Sequence, residues 1–208
     1  MIKLTTLFLL LLETYNLLGN NINKEYTLWY NRPAFNRGGD FTYPVARGYP
    51  YDEDWERWSL PIGNGSMGAC IFGRTDIERI QLSEKTLGNK GPYQFGGFTN
   101  FAEIYIDVNH NYSKNYKRTL NLNEAISTVN YQYENVEYTR EYFANYPSQI
   151  IAVKLKADKP GMISFTIRPT IPYLKPFDKE QNGRSGHVQV LPGLITMTGN
   201  IQYYDLDY

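Results

Sequence analysis

From about residue 60 onward, apolar and polar positions alternate with a period of two, and helical periodicity is scarce. Ile104, Ile106 and Val108 alternate with Tyr105 and Asp107; Val153, Leu155 and Ala157 with Lys154 and Lys156. Phe165 and Ile167 alternate with Thr166 and Arg168, and Ile195 and Met197 with Thr196 and Thr198. Successive side chains of a strand leave opposite faces, so each pattern predicts a strand with one face on a core and the other in water. Val129, Tyr131 and Tyr133 share one parity, and Val136, Tyr138, Arg140 and Tyr142 the other. The parity switches across Glu134-Asn135. Asparagine tolerates a positive φ better than most residues, so a hairpin with its turn there is expected. Asp158-Lys159-Pro160-Gly161 reads as a second turn between strands. Asn123-Glu124-Ala125 resembles a cap followed by helix formers and predicts one helical turn. Many strands at close spacing, with Gly, Pro and Asn between them, predict an all-β fold, an antiparallel β-sandwich.

The flanks differ. Residues Met1 to Asn20 combine Lys3 with the apolar run Leu7 to Leu12, ended by Glu13, and read as a secretory signal rather than a membrane span, which needs roughly 20 apolar residues. Export to the periplasm or the extracellular space is the expectation, with a mature chain starting near residues 20–24. Asn36 to Asp54 and Lys175 to Gly186 read as long loops. Asn200 to Tyr208 is still strand-like where the sequence stops, an open sheet edge that predicts a sandwich incomplete at its C-terminal end.

Composition narrows the function. In 208 residues, Lys+Arg and Asp+Glu are 21 each, which argues against a phosphate-backbone binder and hence a nucleic-acid partner. There is one cysteine, Cys70, so an intrachain disulfide is excluded; it sits in the apolar string Ala69 to Phe72 and is expected to be a buried, inert thiol. His110 and His187 form no metal-ligand motif and no phosphate loop is present, so no metal or cofactor is expected. Nineteen tyrosines suit both strands and sugar-facing surfaces.

The densest local signal is Trp58 to Gly73, with glycines at 63, 65 and 68 ahead of an apolar strand. Two readings stand. Trp58, Asn64 and Gly65 contact a sugar from a glycine-shaped loop, or Asn64-Gly65 is a hairpin turn and Trp58 fills the core; spacing alone favours the second. Glycoside hydrolysis needs two carboxyl groups. Asp52, Glu53, Asp54, Glu56, Glu78, Glu84 and Glu103 are available, but nothing in the sequence pairs any two, so no catalytic residue is assigned. Asn64-Gly65-Ser66 and Asn111-Tyr112-Ser113 match the N-glycosylation triplet.

Several segments in order resemble the N-terminal β-sandwich domain of glycoside hydrolase family 95, the α-L-fucosidase family. They are Leu28-Trp29-Tyr30-Asn31-Arg32-Pro33-Ala34; Leu60-Pro61-Ile62-Gly63-Asn64-Gly65 with Met67-Gly68-Ala69; Glu78-Arg79-Ile80-Gln81-Leu82; Tyr138-Thr139-Arg140-Glu141-Tyr142-Phe143-Ala144 with Pro147; Ala157 to Gly161; and Gly199-Asn200 with Tyr203-Tyr204-Asp205. The resemblance spans roughly residues 25–208. One segment departs from the family pattern: Leu82-Ser83-Glu84-Lys85-Thr86-Leu87-Gly88 has Ser83 in place of an asparagine and Gly88 in place of a tryptophan. The resemblance implies a super-sandwich fold. It also implies a multidomain inverting enzyme whose acid and base lie in a following (α/α)6 barrel, absent from these residues. This chain alone is then an inactive module, whose partners are that barrel and, through it, a fucose-containing glycan. A stand-alone carbohydrate-binding or structural sandwich is the alternative.

Overall fold

The computed structural model describes residues 26–35, 53–87, 101–171 and 185–200. The signal-like stretch, the loop at 36–52, most of the loop at 175–186 and the strand-like tail at 201–208 lie outside the described residues.

The described residues form twelve strands: β1 (Thr27–Tyr30), β2 (Leu60–Gly63), β3 (Met67–Ile71), β4 (Ile77–Glu84), β5 (Ala102–Asp107), β6 (Lys114–Asn121), β7 (Ile126–Tyr133), β8 (Val136–Asn145), β9 (Ile150–Ala157), β10 (Thr166–Thr170), β11 (Ser185–Leu191) and β12 (Leu194–Asn200). A short helix, α1 (Glu53–Trp58), precedes β2, and a 3-10 turn (Lys85–Leu87) follows β4. The first sheet has the order β1-β6-β7-β8-β9, the second β10-β5-β4-β3-β2, and β11-β12 form a separate hairpin. All pairings are antiparallel. Each large sheet is a four-strand meander completed by one strand from elsewhere in the chain: β1 beside β6, and β10 beside β5.

The expected hairpin is formed by β7 and β8, with Tyr131 opposite Tyr138 and the turn at Glu134-Asn135. Both turn residues have positive φ, 48° and 60°, the geometry whose twist matches that of the strands. The turn at 158–161 is present too, with Gly161 at φ 74°, but it carries the chain from one sheet to the other. The helical turn expected at Asn123 to Ala125 does not form. Asn121 and Ile126 are paired, so four residues must reverse the chain, and Ala125 adopts a φ of 55°. The Asn121 side chain holds this loop, its Oδ1 accepting from the Asn123 and Glu124 amides.

The sheets bury Leu60, Ile62, Ala69, Ile71, Ile80 and Ile106 from the second against Leu120, Val129, Tyr131, Val136, Tyr138 and Tyr142 from the first. Apolar burial of this kind supplies about 25 cal/mol per Å². Two departures from simple alternation matter. Phe165, just before β10, and Ile167 within it, expected on the core, are 44% and 42% exposed, because β10 is the edge strand of its sheet. Conversely, the outward face of the second sheet is not wet: Phe72, Arg79, Gln81 and Glu103 are all buried there. Cys70 shares that outward side and is half-buried rather than buried; it accepts the Trp55 indole N–H of α1 at 2.9 Å.

Edges are guarded by chemistry. Both edge strands of the second sheet carry a proline, Pro61 in β2 and Pro169 in β10, which cannot donate to an added strand. The β9 edge presents Lys154 and Lys156.

Candidate functional site

The loop after β2 is held by Asn64. Its Oδ1 accepts the Ser66 and Met67 amides at 3.0 and 2.8 Å, and its Nδ2 donates to the Asn145 carbonyl at 3.0 Å. Asn64 is buried, and Gly65 turns the chain at φ 83°. Trp58 sits at the other end of β2, half-buried, edge-on to Phe35 at 5.4 Å and under the Arg32 guanidinium at 4.8 Å. Trp58 and Asn64 are therefore separated by the length of β2, while Asn64 and Gly65 are adjacent. Of the two glycosylation triplets, Asn64 is buried and Asn111 is exposed.

The carboxylates are where structure adds most. Glu78 is fully buried between the sheets. Its Oε1 accepts the Gly73 and Arg79 amides at 2.8 and 3.1 Å, and its Oε2 accepts the Tyr142 hydroxyl at 2.7 Å. Arg140 Nη1 stands 3.1 Å from Oε2 as an ion pair, off the line of a hydrogen bond, while Nη2 donates to the Arg74 carbonyl. Burial pushes the Tyr142 hydroxyl well above its ordinary range, so it stays a donor to Glu78.

Arg118 lies beside this group. It donates to the Arg32 and Phe72 carbonyls and stacks on Tyr30 at 4.5 Å; its Nη2 and the Ser127 hydroxyl have no hydrogen-bond partner among the described residues.

Glu103 is also buried, on the opposite face of the second sheet. Arg79 Nη2, Gln81 Nε2 and the Tyr105 hydroxyl donate to it at 2.6, 3.0 and 2.6 Å. Burial alone raises its pKa; the Arg79 charge and the hydrogen bonds from Arg79, Tyr105 and Gln81 outweigh it, so the carboxyl lies below its usual range. The Tyr105 hydroxyl is pushed up by burial and by Glu103.

Glu84 is in β4, and its carboxylate accepts the Thr86 amide at 2.8 Å and the Thr86 hydroxyl. Glu53, Asp54 and Glu56 fall in α1, and Asp52 lies outside the described residues. Among the described residues, no three His, Cys, Asp or Glu side chains gather as metal ligands, and no helix is long and apolar enough to cross a membrane. Inversion needs two carboxyl groups facing one sugar across a water. The two buried ones here point away from each other, each against its own arginine.

The family model described as glycosyl hydrolase family 65, N-terminal domain, matches residues 28–94 and 88–202. The chain belongs to this family. The resemblance to the leading sandwich of α-L-fucosidases is likewise borne out: Alpha-L-fucosidase 2 of Arabidopsis thaliana is 28% identical over 178 residues, covering 65% of this chain. The chain spans 21% of that relative's length. Two of the segments that carried the resemblance meet in space: Glu78 comes from one, and Arg140 and Tyr142 from another. Separate motifs along the chain thus share one buried polar frame. Sequence reasoning missed that frame, because a charge at a core parity position reads as an outward residue until its partner is known.

Proposed function

We propose that this chain is the non-catalytic N-terminal β-sandwich of an exported α-L-fucosidase-like glycoside hydrolase that acts on fucosylated glycans. The acid and base then belong to the barrel that the family resemblance implies, the module's principal partner. The supporting observation is the divergence of Glu78 and Glu103, each neutralised by its own arginine. Export rests on the signal-like pattern of Met1 to Asn20. On this reading the signal occupies 1–20 and the module 25–208, with Trp58, Asn64 and Gly65 facing the barrel and its substrate.

Purified chain incubated with an aryl α-L-fucoside should release no phenol above buffer. Turnover that disappears in Glu78→Gln or Glu103→Gln would overturn the reading. In a full-length relative, alanine at the position matching Asn64 should raise KM or lower kcat; unchanged kinetics would remove that contact from the proposal.

A further inference from the structure

The outward face of the first sheet carries a row that neither the sandwich core nor the buried carboxylates use. The register places Trp29 of β1 opposite Thr119 of β6, Thr119 opposite Thr128 of β7, Thr128 opposite Glu141 of β8, and Glu141 opposite Lys154 of β9. Each of these residues has the parity that leaves the core: their neighbours Leu120, Ser127, Val129, Arg140 and Tyr142 are buried. Trp29 is 63% exposed. Its indole N–H and the hydroxyls of Thr119 and Thr128 have no hydrogen-bond partner among the described residues, while Glu141 and Lys154 pair at 3.4 Å across the far end. Lys117, diagonal to Trp29, is exposed as well.

We propose that this row is a carbohydrate-binding strip for a neutral oligosaccharide, with Trp29 as the stacking platform. An exposed indole on the outer face of a sheet offers an apolar face to the C–H face of a pyranose and a donor at its rim. The threonine hydroxyls next to it give and accept hydrogen bonds, as ring hydroxyls require. Five strands at roughly 4.8 Å spacing make the row about 19 Å long, the reach of a short oligosaccharide rather than of one sugar. Glu141 and Lys154 neutralise each other at the far end, and Lys117 beside Trp29 adds an ammonium donor for a ring hydroxyl. This inference rests on the reading of the chain as a glycan-handling module and adds a second place where glycan is held, remote from any hydrolysis. It would give a glycosidase built on this module a means of staying on a polymeric substrate.

The test is titration of the 208-residue chain with neutral fucosylated oligosaccharides and their defucosylated counterparts, followed by calorimetry and by the indole N–H resonances. Saturable binding is expected, with a shift of the one indole resonance that Trp29→Ala removes. Trp29→Ala should weaken binding at least tenfold and Thr119→Val several-fold, with thermal midpoints close to that of the parent, since Trp29 is exposed and Thr119→Val keeps the shape of a half-buried side chain on the outer face. Val190→Ala, at an exposed position of the separate β11–β12 hairpin, should bind normally. Equal binding by Trp29→Ala and parent would overturn the strip, as would no binding to any neutral glycan at millimolar concentration. Neither result bears on hydrolysis: the non-catalytic reading fails only if the chain turns over the aryl fucoside.

Discussion

Glu78 and Glu103 leave adjacent strands of one sheet in opposite directions. Glu103 pairs with Gln81 and Glu78 with Ile106, and both offsets along β4 and β5 are odd, so the pleat sends one carboxylate into the sandwich and the other out of it. Each has its own guanidinium: Arg140 at 3.1 Å from Glu78, and Arg79 at 2.6 Å from Glu103. Two carboxylates so arranged are structural neighbours through the backbone and chemical strangers. The first prediction concerns the inner pair. Arg140→Met should destabilise the chain by about 3–5 kcal/mol, because it leaves Glu78 charged and buried without a counterion. Glu78→Gln/Arg140→Met together should cost less than the sum of the single changes. Urea denaturation of the three variants measures this.

The outer pair predicts a pH dependence. The pKa of Glu103 is lowered on folding, so the folded state binds its proton less readily than the unfolded chain. Its contribution is complete above the unfolded carboxylate range, about 4.3, and is lost as pH falls below that through the folded value. Glu103→Gln should flatten the acid limb of the stability curve while lowering stability at pH 7. Unfolding midpoints between pH 7 and 3 for both forms check the slope.

His110 predicts a second slope at milder pH. Its ring accepts or donates at 2.9 Å to the Tyr131 hydroxyl and stacks on Tyr133 at 4.5 Å. Burial and then the Arg140 charge lower its pKa, so the unfolded state takes up the proton first. Stability should fall as pH drops below about 6.5, and His110→Phe should remove that fall while leaving the limb below pH 4 in place. Melting curves at pH 7.5, 6.5 and 5.5 decide it.

Glycine positions separate space from backbone. Gly73 has φ 72°, and a Cβ there would meet the Tyr116 hydroxyl at 2.7 Å and Arg118 Cδ at 3.1 Å. Gly73→Ala should therefore cost roughly 3 kcal/mol, strain and crowding together. Gly161 has φ 74° with nothing within 4 Å, so Gly161→Ala should cost only about 1 kcal/mol. Equal losses at the two sites would refute the crowding.

The β7–β8 turn offers a gain. Asn135 at φ 60° already tolerates the left-handed region, and Asn135→Gly should stabilise by a few tenths to about 1 kcal/mol, whereas Asn135→Val should cost about 1–2 kcal/mol. Chemical denaturation with an unchanged m-value distinguishes this from a change in the denatured state.

Local chemistry was legible in the chain itself. The parity switch at Glu134-Asn135, the turn at Asp158 to Gly161 and the alternation in β7 and β8 each depend on a few neighbouring residues, and period two in such short windows admits only an extended strand with one buried face; in β9 the same alternation marked the strand but left Val153, expected on the core, exposed at the sheet edge. That determined an antiparallel sandwich and its hairpins, and the ordered motifs determined the family. Three things needed tertiary structure. Whether a face is wet depends on what lies over it, so Phe165 and Ile167 stay exposed on an edge strand while Arg79 and Glu103 are buried on a face that reads as outward. Whether a charge is functional or structural depends on its counterion, which for Glu78 is Arg140, 62 residues away along the chain. Whether an aromatic residue fills a core or offers a platform depends on which way its strand is turned, and only the pairing of β1 with β6, 90 residues apart from Trp29 to Thr119, points Trp29 away from the core. Contacts at such separations leave no period in the sequence, because the distance between partners is set by the order of strands in the sheets and not by any local repeat.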